Sequence, residues 1–173
     1  MDLVLELLED PAYLHVLTNH IPVTGLGLAW VVLVWAVCEG RWRSMLFGLI
    51  LVLGTSGSAY FVMAAGDDAY PFIFDLLDGT GRAWLDHHTE LADRWGFMVT
   101  FNAGFAAIAI GLGVWREGLR RITGGLVLLT TLVSLVVAGL IAEAGGKIRH
   151  SEFRLTDPPV SEESGAGEAG RIP

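Results

Sequence analysis

Four runs, Ile21 to Cys38, Met45 to Ala65, Trp95 to Trp115 and Ile122 to Ala142, carry no charged residue, and they leave this chain little choice of fold. At 1.5 Å per residue, helices of this length cover roughly 27–32 Å. That matches a bilayer hydrocarbon core of about 30 Å. In lipid every backbone N–H and C=O must pair within its own helix or around a closed barrel, and these runs are too long and uniform for barrel strands. The rest of the composition agrees. Only 17% of residues are charged, against about one quarter in a soluble domain. The reading is an all-α, antiparallel four-helix transmembrane bundle whose first partner is the lipid bilayer. A net charge of −8 argues against nucleic acid. The single cysteine, Cys38, excludes an internal disulfide, a Cys-x-x-Cys redox pair and a c-type haem attachment.

The punctuation between the runs sets the expected boundaries. Residues 1–10 read as an interfacial segment without the basic start of a signal peptide. The four-helix domain covers 11–153, with spans at about 11–38, 45–65, 91–115 and 122–142, and 154–173 reads as a disordered tail. Asp10-Pro11 predicts a helix start, with Asp as N-cap and Pro in the first turn. Pro22 predicts a kink in the first helix. Gly66-Asp67-Asp68 is expected to end the second span, and Gly145-Gly146 the fourth. Residues 67–94 then form the longest polar connection, broken at Pro71 and at Asp78-Gly79-Thr80-Gly81, with Arg82 to Arg94 reading as a helix that continues into the third span. The turns holding Arg41, Arg43, Arg116, Arg120 and Arg121 are mostly basic, which places them in the cytoplasm and both termini outside it.

An even number of crossings brings His15, His20, His87, His88 and His150 to one end of the bundle. His88 shares a helical stripe with Leu91, Ala92, Trp95 and Asn102, so it points inward, whereas His87 lies nearer Glu90 and Arg94. His20 is followed at helical spacing by Thr24 and Gly27, small residues that leave space for a flat cofactor or let helices pack closely. His15 lies about 140° round a straight helix from His20. Lys147 and Arg149 flank His150 and suit anionic groups, either the propionates of a haem or lipid headgroups. Asn102 is expected to bond across the bundle to Thr55, Ser56 or Ser58, and Glu143 to be solvated or to orient a histidine.

Three stretches resemble a bacterial family of small four-helix membrane proteins of unknown function. They are His15…Asn19-His20-Ile21-Pro22, His88-Thr89-Glu90-Leu91-Ala92 and Gly145-Gly146-Lys147-Ile148-Arg149-His150. They are similar to its His-Phe-Pro-Ile opening, its His-x-Glu-Leu-Ala stretch and its closing Gly-Gly-x-Leu-Val-x-x-His. The third departs from the pattern, because a basic stretch replaces an apolar one. The resemblance covers about residues 13–153. It implies a bacterial inner-membrane protein, and it picks His20, His88 and His150.

The function expected from these residues is a b-type, haem-binding electron-transfer subunit. His20 and His88 are its expected axial ligands, His15 and His150 a second pair, and other redox subunits or quinone its partners. The alternatives are a copper or zinc site built from the histidines, and a non-catalytic membrane subunit that binds a partner protein. No Gly-x-Ser-x-Gly, phosphate loop or His-Glu-x-x-His motif points to a stand-alone enzyme.

Overall fold

The computed structural model describes Leu7 and residues 9–158; most of the interfacial segment 1–10 and residues 159–173 of the tail lie outside the described residues. Among the described residues five helices follow in order: α1 (Pro11–Thr18), α2 (His20–Glu39), α3 (Trp42–Leu76), α4 (Gly79–Trp115) and α5 (Arg120–Arg149). Short 3-10 turns, Glu117–Leu119 and Ser151–Phe153, precede and follow α5.

The start of α1 is as the sequence predicts. Asp10 Oδ1 accepts from the N–H groups of Ala12 at 2.9 Å and Tyr13 at 3.3 Å, with Pro11 in the first turn. The expected single first helix is interrupted at Asn19, whose angles (φ −61°, ψ −24°) are still helical. Pro22 lacks the N–H that would bond Thr18 O, so the ladder opens there and α1 and α2 meet at a joint.

Gly66-Asp67-Asp68 does not end its helix, and the helix expected from Arg82 into the third span starts three residues earlier. Helix α3 runs through Gly66-Asp67-Asp68 and Pro71 to Leu76, and α4 already begins at Gly79. The polar stretch 67–94 is therefore a helical hairpin with a two-residue turn. At 1.5 Å per residue α3 is about 52 Å long, some 20 Å more than a bilayer core needs. Tertiary contacts hold this extension. Tyr70 Oη donates to Asp86 Oδ1 at 2.6 Å, and Arg82 Nε donates to Phe74 O at 2.9 Å with its guanidinium over the Phe74 ring. Such contacts outweigh helix-propensity penalties of about 1 kcal/mol or less for each Gly or Asp. Asp78 caps α4 by accepting from Gly81 N at 2.6 Å.

Helix α5 likewise passes through Gly145-Gly146 and ends at Arg149. An arginine, not a glycine, closes it. Arg154 folds back and donates from Nε to Lys147 O and from Nη2 to Ile148 O, each at 2.7 Å, which satisfies two terminal carbonyls.

Neighbouring helices run in opposite directions. Along α2 and α3, Gly25 meets Thr55 and Leu33 meets Gly48; along α3 and α4, Ser56 meets Asn102 and Trp42 meets Gly113; along α4 and α5, Thr131 meets Asn102 and Ile141 meets His88. Helix α5 closes the ring against α2, with Leu135 beside Gly27 and Val37 beside Gly124. The α2–α3 turn needs its glycine: Gly40 has φ +74°, and Arg121 fills the space a Cβ would occupy. Helix α3 also approaches α2 closely at Gly48, where a Cβ would lie 3.2 Å from Leu33 Cα. Gly54 and Gly57 face open space instead.

The interior has two apolar clusters with a polar layer between them. One cluster centres on Leu33, Met45, Leu49 and Ala106, the other on Leu26, Ala59, Val99 and Ala138. In the layer, fully buried Asn102 donates from Nδ2 to Ser56 Oγ and to Thr131 Oγ1, each at 3.1 Å, and its Oδ1 accepts from Thr130 Oγ1 at 2.7 Å. The expected bond to Ser56 is present; the partners on α5 were not expected. The outer surface is apolar: Phe61 is 72% exposed, Phe101 63% and Leu129 62%. Monomeric proteins in water rarely show contiguous apolar surface of this kind. Four helical stretches, Pro11–Glu39, Trp42–Leu76, Gly79–Trp115 and Glu117–Arg149, are long and apolar enough to cross a membrane. The chain is an all-α, multi-pass membrane protein.

Candidate functional site

Two of the five histidines meet inside the bundle end. The ring centres of His15 on α1 and His88 on α4 lie 6.2 Å apart with planes at 83°. Each ring is half-buried and anchored on a different neighbour. His15 Nδ1 lies 2.9 Å from Val62 O on α3, and His88 Nδ1 lies 2.8 Å from Ile141 O on α5. A carbonyl oxygen can only accept, so each Nδ1 carries a proton, and the neutral form of each ring then has its lone pair on Nε2.

The two anchors use one local device. Val62 is four residues before Gly66, and Ile141 four before Gly145. A Cβ on Gly66 would lie 2.9 Å from His15 Nδ1, and a Cβ on Gly145 would lie 3.1 Å from His88 Cε1 and Nδ1. Each glycine thus lets an imidazole lie flush on a helix backbone and reach the carbonyl one turn back. That carbonyl, with two lone pairs, can serve its own helix and the histidine together. Gly66 and Gly145 read from the sequence as helix stops; their use here is to seat side chains from neighbouring helices.

This device makes a prediction in which stability and site geometry part company. Gly145→Ala raises helix propensity by about 0.8–1 kcal/mol, yet its methyl pushes on the His88 ring. The expected result is a protein at least as resistant to unfolding as the parent, in which His88 has lost its contact with Ile141 O. Imidazole NMR shifts and a melting curve measured on the same sample check both halves.

The remaining candidate residues lie around this pair. His20 is exposed, and Gly25 below it is occupied by close packing, since a Cβ there would lie 2.6 Å from Thr55 Cγ2. Its expected pairing with His88 is taken by His15, because the joint at Asn19 and the long α3 bring α1 across the bundle end. His150 is exposed too; it stacks on Phe153 at 4.9 Å and its Nδ1 lies 2.9 Å from Glu152 Oε1. The Glu152 carboxyl is held below its ordinary range, first by its own backbone N–H and then by His150. Arg149 is exposed.

Lys147 turns inward. Its Nζ sits 4.5 Å from the centre of the Trp84 ring and forms an ion pair with Glu143. Glu143 therefore serves Lys147 rather than orienting a histidine. His87, on the neighbouring stripe, meets the same indole edge-on at 5.8 Å. Trp84 is 2% exposed, and its Nε1–H has no partner among the described residues. Sequence reasoning missed Trp84, although its position one helical turn before His88 on the same face was readable.

Among the described residues, no three His, Cys, Asp or Glu side chains converge as a metal-ligand group. The end of the bundle therefore offers one pair of imidazoles, His15 and His88, beside a cation and a buried indole. The chain matches no protein-family model, no curated protein and no solved structure.

Proposed function

We propose that His15 and His88 are the axial ligands of one haem iron, and that the protein is a b-type electron carrier of the membrane. One observation carries this reading. Both Nδ1–H groups are committed to carbonyls, which leaves two Nε2 lone pairs on rings whose centres are 6.2 Å apart. Rings at that separation would be able to hold one metal ion between them through the two Nε2 atoms.

The donor set fits haem better than a bare ion. Zinc takes three or four protein ligands, and copper sites commonly three. Haem iron needs only axial ligands from the protein, because the porphyrin supplies the other four. When bound, haem supplies one-electron chemistry at its iron. The chain does the rest. Val62 O and Ile141 O hold each imidazole in one tautomer and make its far nitrogen more basic. Gly66 and Gly145 set how deep the rings sit. The apolar flanks of α3, α4 and α5 limit water, which would otherwise screen the charge on the metal.

The charge pattern supports an orientation. Arg41, Arg43, Arg116, Arg120 and Arg121 are concentrated in the two short turns at the far end, whereas Arg82, Arg94, Lys147, Arg149 and Arg154 are spread over longer segments at the histidine end. The positive-inside rule then puts the basic turns in the cytoplasm and the histidine pair near the opposite face.

Protein purified in mild detergent from a haem-supplied host is expected to show a Soret band that shifts on dithionite reduction, with about one haem per chain. A colourless preparation that stays colourless with added hemin, or one holding stoichiometric copper or zinc without porphyrin absorbance, overturns the reading.

A further inference from the structure

Three buried polar side-chain atoms lack a partner among the described residues: Asn19 Oδ1, Trp30 Nε1 and Trp84 Nε1. A buried N–H without an acceptor costs about 1–3 kcal/mol, so each position asks for an explanation. Trp30 lies ten residues beyond His20 along α2, away from the histidine pair, and Asn19 Oδ1 is an acceptor at the α1–α2 joint. Trp84 is different. It is a donor, it is 98% buried, and it lies one turn from His88 on the same face of α4.

A cation sits over that same indole. Lys147 belongs to α5, two residues past the glycine that seats His88, and its side chain is only 14% exposed. Its Nζ lies 4.5 Å from the indole centre, and Glu143 occupies one of its three donors. An unpaired N–H and a half-sheltered ammonium within a turn of the same histidine form a receptor for one small anion. A carboxylate suits it: one oxygen accepts from an indole N–H while the other faces an ammonium. Hydrogen bonds to a charged acceptor are the strong ones, and more so where water is scarce.

We infer that Trp84 Nε1–H and Lys147 Nζ bind the carboxylate arm of the group held between His15 and His88. This rests on the haem reading above and adds a recognition element to it. The ligand class is thereby narrowed to a porphyrin that keeps at least one ionised carboxylate on the α4–α5 side. Trp84 and Lys147 are positioning residues that do not touch the metal.

The test compares hemin with hemin dimethyl ester, whose carboxylates are blocked, in titrations of apo-protein in detergent. Native protein is expected to bind hemin about 10–100-fold more tightly than the ester, the range of a charged hydrogen bond with its ion pair. Trp84→Phe and, separately, Lys147→Gln should each lose most of that preference while binding the ester as the native protein does. Unchanged ester binding shows that a variant is folded, and Lys147→Gln covers the case in which Trp84→Phe fails to fold. Equal preference for hemin in native protein and both variants, with the bis-imidazole spectrum intact, overturns the inference and leaves the haem site standing. Failure of native protein to bind either porphyrin overturns the haem reading and this inference with it.

Discussion

His88→Ala protein is expected to lose the low-spin, two-imidazole absorption spectrum and to bind hemin at least about 100-fold more weakly. That is more than the usual 10–100-fold cost of losing a residue that merely orients a metal ligand. His15→Ala should do the same, because the site has only two imidazoles and either loss leaves the iron one axial ligand short. His20→Ala and His150→Ala should change affinity by less than about twofold. Both residues are exposed, and His150 is engaged with Phe153 and Glu152. The set discriminates sharply between pairings. A spectrum lost in His20→Ala but kept in His15→Ala would mean that His20 is the ligand and that the contact between His15 and His88 is only packing. Loss of the carbonyl anchor alone, by contrast, should weaken binding without changing the number of ligands. Gly145→Ala supplies that intermediate case.

The second large effect concerns the middle of the bundle. Asn102→Leu is expected to destabilise the protein by roughly 2 kcal/mol against unfolding in mixed detergent, on the basis of about 0.6 kcal/mol and at most 1.7 for each side-chain hydrogen bond in a membrane interior. Asn102 makes three such bonds, one to α3 and two to α5. Its neighbours limit the damage. Thr131 Oγ1 and Thr130 Oγ1 also donate to Val127 O, at 2.7 and 3.1 Å, so their protons keep an acceptor after the substitution. Ser56 Oγ, fully buried, is the atom left stranded. Leucine has the same branching and the same number of heavy atoms, so it leaves no cavity. Single substitutions Ser56→Ala and Thr131→Val should each cost less than Asn102→Leu. A variant Asn102→Leu as stable as its parent would show that apolar packing alone aligns α3, α4 and α5.

Much of the fold is legible from residues whose meaning is local. The charge-free runs give four spans because lipid cannot solvate a backbone. Asp10-Pro11 marks a helix start because its side chain and ring act within one turn. Pro22 marks a discontinuity because it removes one bond at a known offset. Asn102 reads as interhelical glue because a buried amide has nowhere else to bond. The same local reasoning misplaced Gly66 and Gly145. Glycine ends helices in isolation, at a cost of at most about 1 kcal/mol if the helix continues. Here an imidazole from another helix occupies the space where a side chain would be, and the contacts of the hairpin and of Arg154 supply more than that cost.

The site was legible in kind more than in membership. That histidines gather at one end follows from counting crossings, and His88 was picked correctly as inward by its stripe. His15 could not be chosen over His20 from helical angles, since a straight helix sets them about 140° apart and says nothing of which one faces the bundle. Trp84 and Lys147 come together from α4 and α5, sixty-three positions apart, through a cation–ring contact with no signature in either segment.

The sequence by itself determined the solvent, the number of crossings and the end at which the imidazoles collect, because each depends on hydrophobicity summed over a whole helix. Only the tertiary structure decided which imidazole meets His88, which carbonyl fixes each tautomer, and that two glycines are seats rather than stops. Those outcomes depend on the angle at the Asn19 joint and on the length of α3 beyond the bilayer, which are set by contacts between distant helices and which no single stretch of residues encodes.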